Sequence, residues 1–247
     1  MTATLKAAGI GKRFGALAVL QGIDFDVSSD AAIGIVGPNG VGKSTLMAVL
    51  SGALAPNAGR IEMDGRDITG LGAAERAGLG VMRTHQIPKP FGGLTVLENV
   101  LVGATHAGGA LGAAAYERPD DWHANATHAG DALGPAAHEL ALEALETAGM
   151  RSLANRPAES LELLDRKRLE LARALATRPK TLLLDEIGGG LTDAEAEDLV
   201  PMIKGLREKG VWIVWIAHSV HLLLQVVDRL ICVDAGAASM RMGSLPP

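Results

Sequence analysis

Three short apolar runs interrupt an otherwise mixed chain: residues 31–37 (AAIGIVG), 181–186 (TLLLDE) and 211–218 (VWIVWIAH). None alternates apolar with polar positions, so each reads as a strand buried on both faces, the kind found in parallel sheets. Helical spacing flanks all three, which predicts an α/β architecture. After the second run, Thr192 with Glu195 three positions on forms a capping box that opens a helix, and Gly210 closes it before the third run. Strand, helix and strand then make a parallel, right-handed unit. Residues 17–27 and 59–68 instead alternate and carry turn residues, predicting an antiparallel β portion near the N-terminus. Between residues 88 and 157 the pattern changes again: apolar positions recur at helical spacing in 94–102 and 140–150, and no strand-like run intervenes. The expectation is one domain over residues 1–247, with a core built from 1–87 and 158–247 and a helical subdomain at 88–157. Within the insertion, residues 103–137 are rich in Ala, Gly and His, a composition that buries little surface.

Composition narrows the picture. A chain of 247 residues with 48% hydrophobic content has ample material for a core. Its single cysteine, Cys232, excludes a disulfide framework and a multi-cysteine metal site. The opening Met-Thr-Ala-Thr-Leu lacks the blocks of a signal peptide, and no apolar run approaches the roughly 18 to 20 residues that cross a bilayer. A cytoplasmic protein is therefore expected, with any membrane span supplied by a partner. A net charge of −5 and a pI near 5.8 argue against a broad nucleic-acid surface, so no nucleic-acid partner is expected. His106, His123, His128 and His138 are irregularly spaced and define no metal geometry. The basic turn Arg166-Lys167-Arg168 reads as a solvent-facing charge run.

The chemistry concentrates where the apolar runs end. Residues 37–45 read Gly37-Pro38-Asn39-Gly40-Val41-Gly42-Lys43-Ser44-Thr45, after a strand and at the opening of a helix expected from about Ser44 to Leu50. In that context the spacing predicts a loop whose backbone N–H groups wrap a polyphosphate, with Lys43 on the β/γ oxygens and the Ser44 hydroxyl on Mg²⁺. ATP is the expected nucleotide, since no Asn-Lys-x-Asp segment is present to read guanine. Asp185 and Glu186 close the second run, at the carboxyl end where α/β sheets collect ligands. Asp185 is expected to hold Mg²⁺ through water, and Glu186 to polarise the water that attacks the γ-phosphate. His218 closes the third run and is placed to sense that phosphate.

With these residues assembled, the chain resembles the ATP-binding subunit of an ATP-binding cassette (ABC) transporter over nearly its whole length. The resemblance implies a phosphate-loop NTPase core with a parallel sheet, an N-terminal antiparallel β portion and a helical insertion. Residues 83–88 (RTHQIP), followed by 93–100 (GLTVLENV), look like the glutamine loop of importers for branched-chain or hydrophobic amino acids or urea. By that resemblance Gln86 completes the Mg²⁺ and water shell and links the nucleotide to the insertion, and Phe14 stacks on adenine. The implied function is an ATPase subunit that powers uptake of branched-chain amino acids or related small solutes. Its implied partners are a separate membrane permease, a second cassette and, indirectly, an extracytoplasmic solute-binding protein, with the chain peripheral on the inner membrane face. Two departures stand out. The family's signature, normally Leu-Ser-Gly-Gly-Gln, aligns with Leu161-Glu162-Leu163-Leu164-Asp165, which replaces a hydroxyl donor and permissive glycines with an acid and bulk. Glu162 either faces the partner's nucleotide or caps its own helix. The loop at 187–192 (IGGGLT) lacks the usual proline. These departures point to a heterodimer with an intact signature on the other chain, or alternatively to a regulatory subunit with little hydrolysis. The tail at 235–243 matches the family's closing hairpin poorly.

Overall fold

The computed structural model describes residues 4–28, 31–105, 134–217, 219–233 and 241–244. His218 lies outside them, as do His106, His123 and His128 and most of the Ala/Gly/His-rich stretch. The chain divides into two compact units. Unit one comprises Met1–Arg76, Val81–Gln86 and Lys180–Pro247, and unit two comprises Ala77–Gly80 and Ile87–Pro179. The division expected after residue 157 thus falls after Pro179 instead, because the helix that follows the signature segment packs with the insertion's helices.

Unit one holds two sheets. In the first, β1 (Thr4–Phe14), β2 (Leu17–Ser28), β4 (Ala58–Met63) and β5 (Arg66–Asp67) run in the order β2-β1-β4-β5, all antiparallel. The expected β portion at 17–27 and 59–68 is present; β1 was not foreseen. Its buried positions Leu5, Ala7 and Ile10 slip phase at a bulge, where Gly9 adopts φ 61° and its N–H donates to Asp24 Oδ1 at 2.8 Å. A bulge adds a residue to one strand, which breaks the period-two signal.

The second sheet contains β3 (Ala32–Val36), β6 (Val81–Arg83), β7 (Thr181–Asp185), β8 (Trp212–Ile216), β9 (Arg229–Cys232) and β10 (Arg241–Ser244), in the order β10-β9-β3-β8-β7-β6. All pairings are parallel except β9 with β10. The three apolar runs are neighbours here, with Ile35 and Asp185 both level with Ile216. Every residue of β7 and β8 is buried. Although residues 235–243 match the family's closing segment poorly in sequence, β9 and β10 pair antiparallel, with Arg241 opposite Cys232.

Helix α1 (Lys43–Leu50) follows β3, and its last carbonyls are held by a buried guanidinium on α2 (Ala73–Gly78). Arg76 Nη1 donates to Val49 O at 2.7 Å and to Leu50 O at 2.8 Å, its Nη2 to Thr69 O and its Nε to Leu71 O. A cation at that end complements the helix dipole. Between β7 and β8 the expected helix is divided into α6 (Asp193–Glu197) and α7 (Val200–Glu208). The Thr192–Glu195 box is formed as predicted, but Pro201 cannot donate to the turn before it and starts a new helix.

Unit two is built on α3 (Val96–Ala104), α4 (Gly134–Thr147) and α5 (Leu163–Leu175). A second capping box, Thr95 with Glu98, opens α3, and buried Asn99 ties the preceding loop down by exchanging hydrogen bonds with the Phe91 backbone. Arg173 of α5 stacks over the Phe91 ring, 4.3 Å from its centroid. Lys167 is a correction: it is 1% exposed rather than solvent-facing, because it shares the inward stripe of α5 with Leu171 and Ala174 at helical spacing. Glu162 occupies the N-cap position of α5 yet makes no side-chain capping bond, and Leu163 beside it is 41% exposed.

Gly103 lies where α3 meets α5 so closely that a Cβ there would overlap the Arg173 carbonyl oxygen. Helix propensity alone favours alanine over glycine by about 1 kcal/mol. Overpacking against backbone outweighs it, so Gly103→Ala should destabilise the protein by about 1–3 kcal/mol, read as a lower urea midpoint.

Candidate active site

The loop that leaves β3 depends on backbone angles that side chains resist. Gly37 has φ 154° and a Cβ there would run into the Val233 carbonyl; Gly40 and Gly42 have φ 79° and 103°. Gly42 is the N-cap of α1 in a left-handed conformation, which turns the chain so that the first N–H groups of the helix face outward from its end. The first intrahelical bond runs from Leu46 N to Gly42 O at 2.8 Å. The N–H groups of Lys43, Ser44 and Thr45 precede it and have no partner earlier in the helix, a concentration of positive potential.

Lys43 folds back over this loop. Its Nζ donates to Gly37 O at 2.7 Å and Pro38 O at 2.8 Å, and the residue is 6% exposed. Two of the ammonium's three donors thus brace the loop. The Ser44 Oγ donates to Asp185 Oδ1 at 3.3 Å, bridging α1 to the end of β7. The other oxygen of Asp185 accepts from Arg83 Nη2 at 2.6 Å. Glu186 is 7% exposed, has φ 49° and receives the Gln86 Nε2 donor on Oε2 at 2.5 Å. A non-glycine residue held in the left-handed region is costly by about 1–3 kcal/mol, and such strain clusters at working sites. The surrounding bonds that impose it are Glu186 N to Ile216 O at 2.9 Å and Gly189 N to Glu186 O at 2.8 Å.

These groups converge on a cavity of about 400 Å³. The loop and α1 line it with Asn39, Gly40, Gly42, Lys43, Ser44 and Thr45; Val19 of β2, Gln86 and Glu186 complete the wall. The fit to a polyphosphate with its metal can be judged from the donors themselves: an ammonium, a hydroxyl and a helix N-terminus stand on one side, and a buried carboxylate stands behind the hydroxyl. Cationic and N–H groups suit phosphate oxygens, while an oxygen-only pair such as Ser44 and Asp185 suits a hard divalent ion. The residues present fit both.

Of the residues expected from sequence, the loop 37–45, Gln86, Asp185 and Glu186 are brought together. Phe14 is not among the cavity's lining residues; it is 48% exposed at the end of β1, with Lys12 Nζ 5.5 Å from its ring centroid. His218 falls outside the described residues. Leu161, Glu162, Leu163, Leu164 and Asp165 belong to unit two. Sequence reasoning missed Arg83 and Val19. Arg83 opens the run 83–88 that resembles the glutamine loop but was given no role there, and the one signal available was a cation at a strand end opposite two acids.

A buried parallel sheet carrying a glycine loop, a lysine and a strand-end acid pair at its carboxyl edge defines a phosphate-loop nucleotide-binding protein. The ABC transporter family model matches residues 20–188, and the chain belongs to that family. A high-affinity branched-chain amino acid transport ATP-binding protein, BraF of Pseudomonas aeruginosa, is 34% identical over 94% of this chain and 89% of its own length. LivG of Escherichia coli, with the same description, is 32% identical over 94% of this chain and 88% of its own length. Among solved structures, a nucleotide-free ATP-binding cassette from an ABC transporter is 31% identical with a TM-score of 0.81, covering 99% of this chain and 92% of that one. The ADP conformation of such a cassette gives a TM-score of 0.82 at 31% identity, with the same coverage. Among the described residues no helix is long and apolar enough to cross a membrane.

Lys43→Ala removes the ammonium from both the loop and the cavity. Nucleotide affinity should fall by at least about tenfold, roughly 1.4 kcal/mol, in a fluorescent-nucleotide titration.

Proposed function

We propose that this chain binds Mg·ATP in the cavity between the residue 37–45 loop and Glu186, and hydrolyses it to power import of branched-chain amino acids or related small solutes through a separate permease. The observation that carries the reading is the convergence of Lys43, Ser44, Gln86 and Glu186 on one cavity, with Asp185 directly behind Ser44. The solute class rests on the names of the relatives BraF and LivG.

In this reading the loop amides and Lys43 grip the β- and γ-phosphates. Mg²⁺ bound by Ser44, by Asp185 through water and by Gln86 would neutralise phosphate charge. Glu186 accepts a proton from the attacking water; its present partner, the Gln86 amide, holds the carboxylate at the cavity wall and exchanges that contact for the water when substrate fills the site. His218, following β8, serves the γ-phosphate, and exposed Phe14 offers a face for the adenine ring. Water exclusion comes from a second cassette across the dimer. The signature segment, Leu161 to Asp165, presents Glu162 as an acceptor where a phosphate needs donors, so the preferred partner is a different chain with an intact signature. The complex sits on the inner membrane face against its permease, with a solute-binding protein outside.

Glu186→Gln should lower hydrolysis by about 10²- to 10⁴-fold while leaving nucleotide affinity within a few-fold of the parent, and should abolish uptake of labelled leucine in cells relying on this chain. Retained turnover in that variant would remove Glu186 from the mechanism. Separately, the purified chain alone should hydrolyse ATP at least about tenfold more slowly than the reconstituted complex, since a carboxylate near phosphate opposes closure by roughly 1 kcal/mol in water and about 4 at an effective dielectric of 20. Equal rates would remove the need for an unlike partner.

A further inference from the structure

Both oxygens of the Asp185 carboxylate are engaged within unit one. Oδ1 accepts from Ser44 Oγ at 3.3 Å and Oδ2 from Arg83 Nη2 at 2.6 Å. The ion pair is nearly dry, with side-chain exposures of 14% for Arg83 and 3% for Asp185. Its geometry is set by the sheet. Arg83 is the last residue of β6, in parallel register with Leu183, and the next N–H, of Thr84, donates to Leu183 O at 3.0 Å. The guanidinium therefore arrives at the carboxyl end of β7 from the neighbouring strand, on the oxygen opposite Ser44. Asp185 is the hydrogen-bond partner the guanidinium has among the described residues, and the Arg83 Nε is buried without one.

A buried carboxylate without a counter-ion is strongly disfavoured, and its natural counter-ion at such a site arrives only with the nucleotide. We propose that Arg83 is a positioning residue and resident counter-ion for Asp185. It engages Oδ2 so that only Oδ1 is turned toward Ser44 and the metal's water, and it offsets the acid's charge while no metal is bound. Two consequences follow from that electrostatic arrangement. Arg83 weakens the pull of Asp185 on a divalent cation, and it shields metal-free polyphosphate from the acid. The site then binds nucleotide with a smaller gap between its metal-loaded and metal-free forms than an unpaired acid would give.

The inference rests on the reading of Asp185 as the metal-linked acid, and the test separates the two. The full-length chain, Arg83→Met and Arg83→Lys are titrated calorimetrically with AMP-PNP, once in excess Mg²⁺ and once in EDTA. In Arg83→Met the ratio of the metal-free to the metal-loaded Kd should rise about tenfold, the order expected on removing one positive charge that competes with a cation for a carboxylate at an effective dielectric near 20. Arg83→Lys, which keeps the charge, should hold the parent ratio. The melting temperature of nucleotide-free Arg83→Met should also fall, and recover more than the parent's on adding Mg·AMP-PNP. Parallel weakening of both affinities at constant ratio, as loss of a mere structural prop would give, overturns the proposal, as does a lysine variant that behaves like methionine. Should Arg83→Met fail to fold, Arg83→Gln replaces it with the same expected rise. A parent chain whose AMP-PNP affinity ignores Mg²⁺ would instead overturn the metal reading of Asp185, and this inference with it.

Discussion

Lys43 bends back over its own loop, its ammonium bonded to the carbonyls of Gly37 and Pro38, and most of the site's geometry depends on that bracing. Carbonyls gathered on the inside of a loop need a cation, and N–H groups gathered at a helix end need an anion. The first requirement is met within the chain and the second is left for a ligand. Glycine at 37, 40 and 42 lets the backbone take the required angles, and β3, paired along both edges with β8 and β9, gives the loop a rigid origin.

The acids belong to the same frame. Because Asp185 and Ile35 are both level with Ile216, the carboxylate lies at the height of the next-to-last residue of β3, and Ser44 can reach it from the first turn of α1. One step further, Glu186 is thrown into a left-handed conformation and toward the cavity. Two consecutive acids thereby face different tasks, one buried against Ser44 and Arg83, the other meeting Gln86 at the wall.

What could be read in the sequence was what obeys a local period or a local spacing. The three strands of unbroken apolar residues, the box at Thr192 and Glu195, the loop at 37–45 and the acids at 185 and 186 all declare themselves within a few positions. What escaped was set by partners distant in the chain or by a broken period. β1 lost its alternation to a bulge, Lys167 was hidden by its own charge until the stripe of α5 claimed it, and the boundary at Pro179 follows from helix packing that no composition shift marks. Arg83 is the same case at the site: its meaning comes from Asp185, separated from it by 102 positions.

Sequence distance has a temporal side as well. Among the described residues β3 pairs only with β8 and β9, and the bond that ties its first residue, Ala32 N to Asp228 Oδ2, spans 196 positions. On a ribosome adding roughly 5–20 residues per second, this strand emerges about 10–40 s before either neighbour exists. During that interval an apolar segment with two open edges has no native mate, the condition under which strands associate with other copies. The nucleotide pocket is therefore among the last parts of the molecule to be completed, although the glycine loop at its heart is among the first to be made.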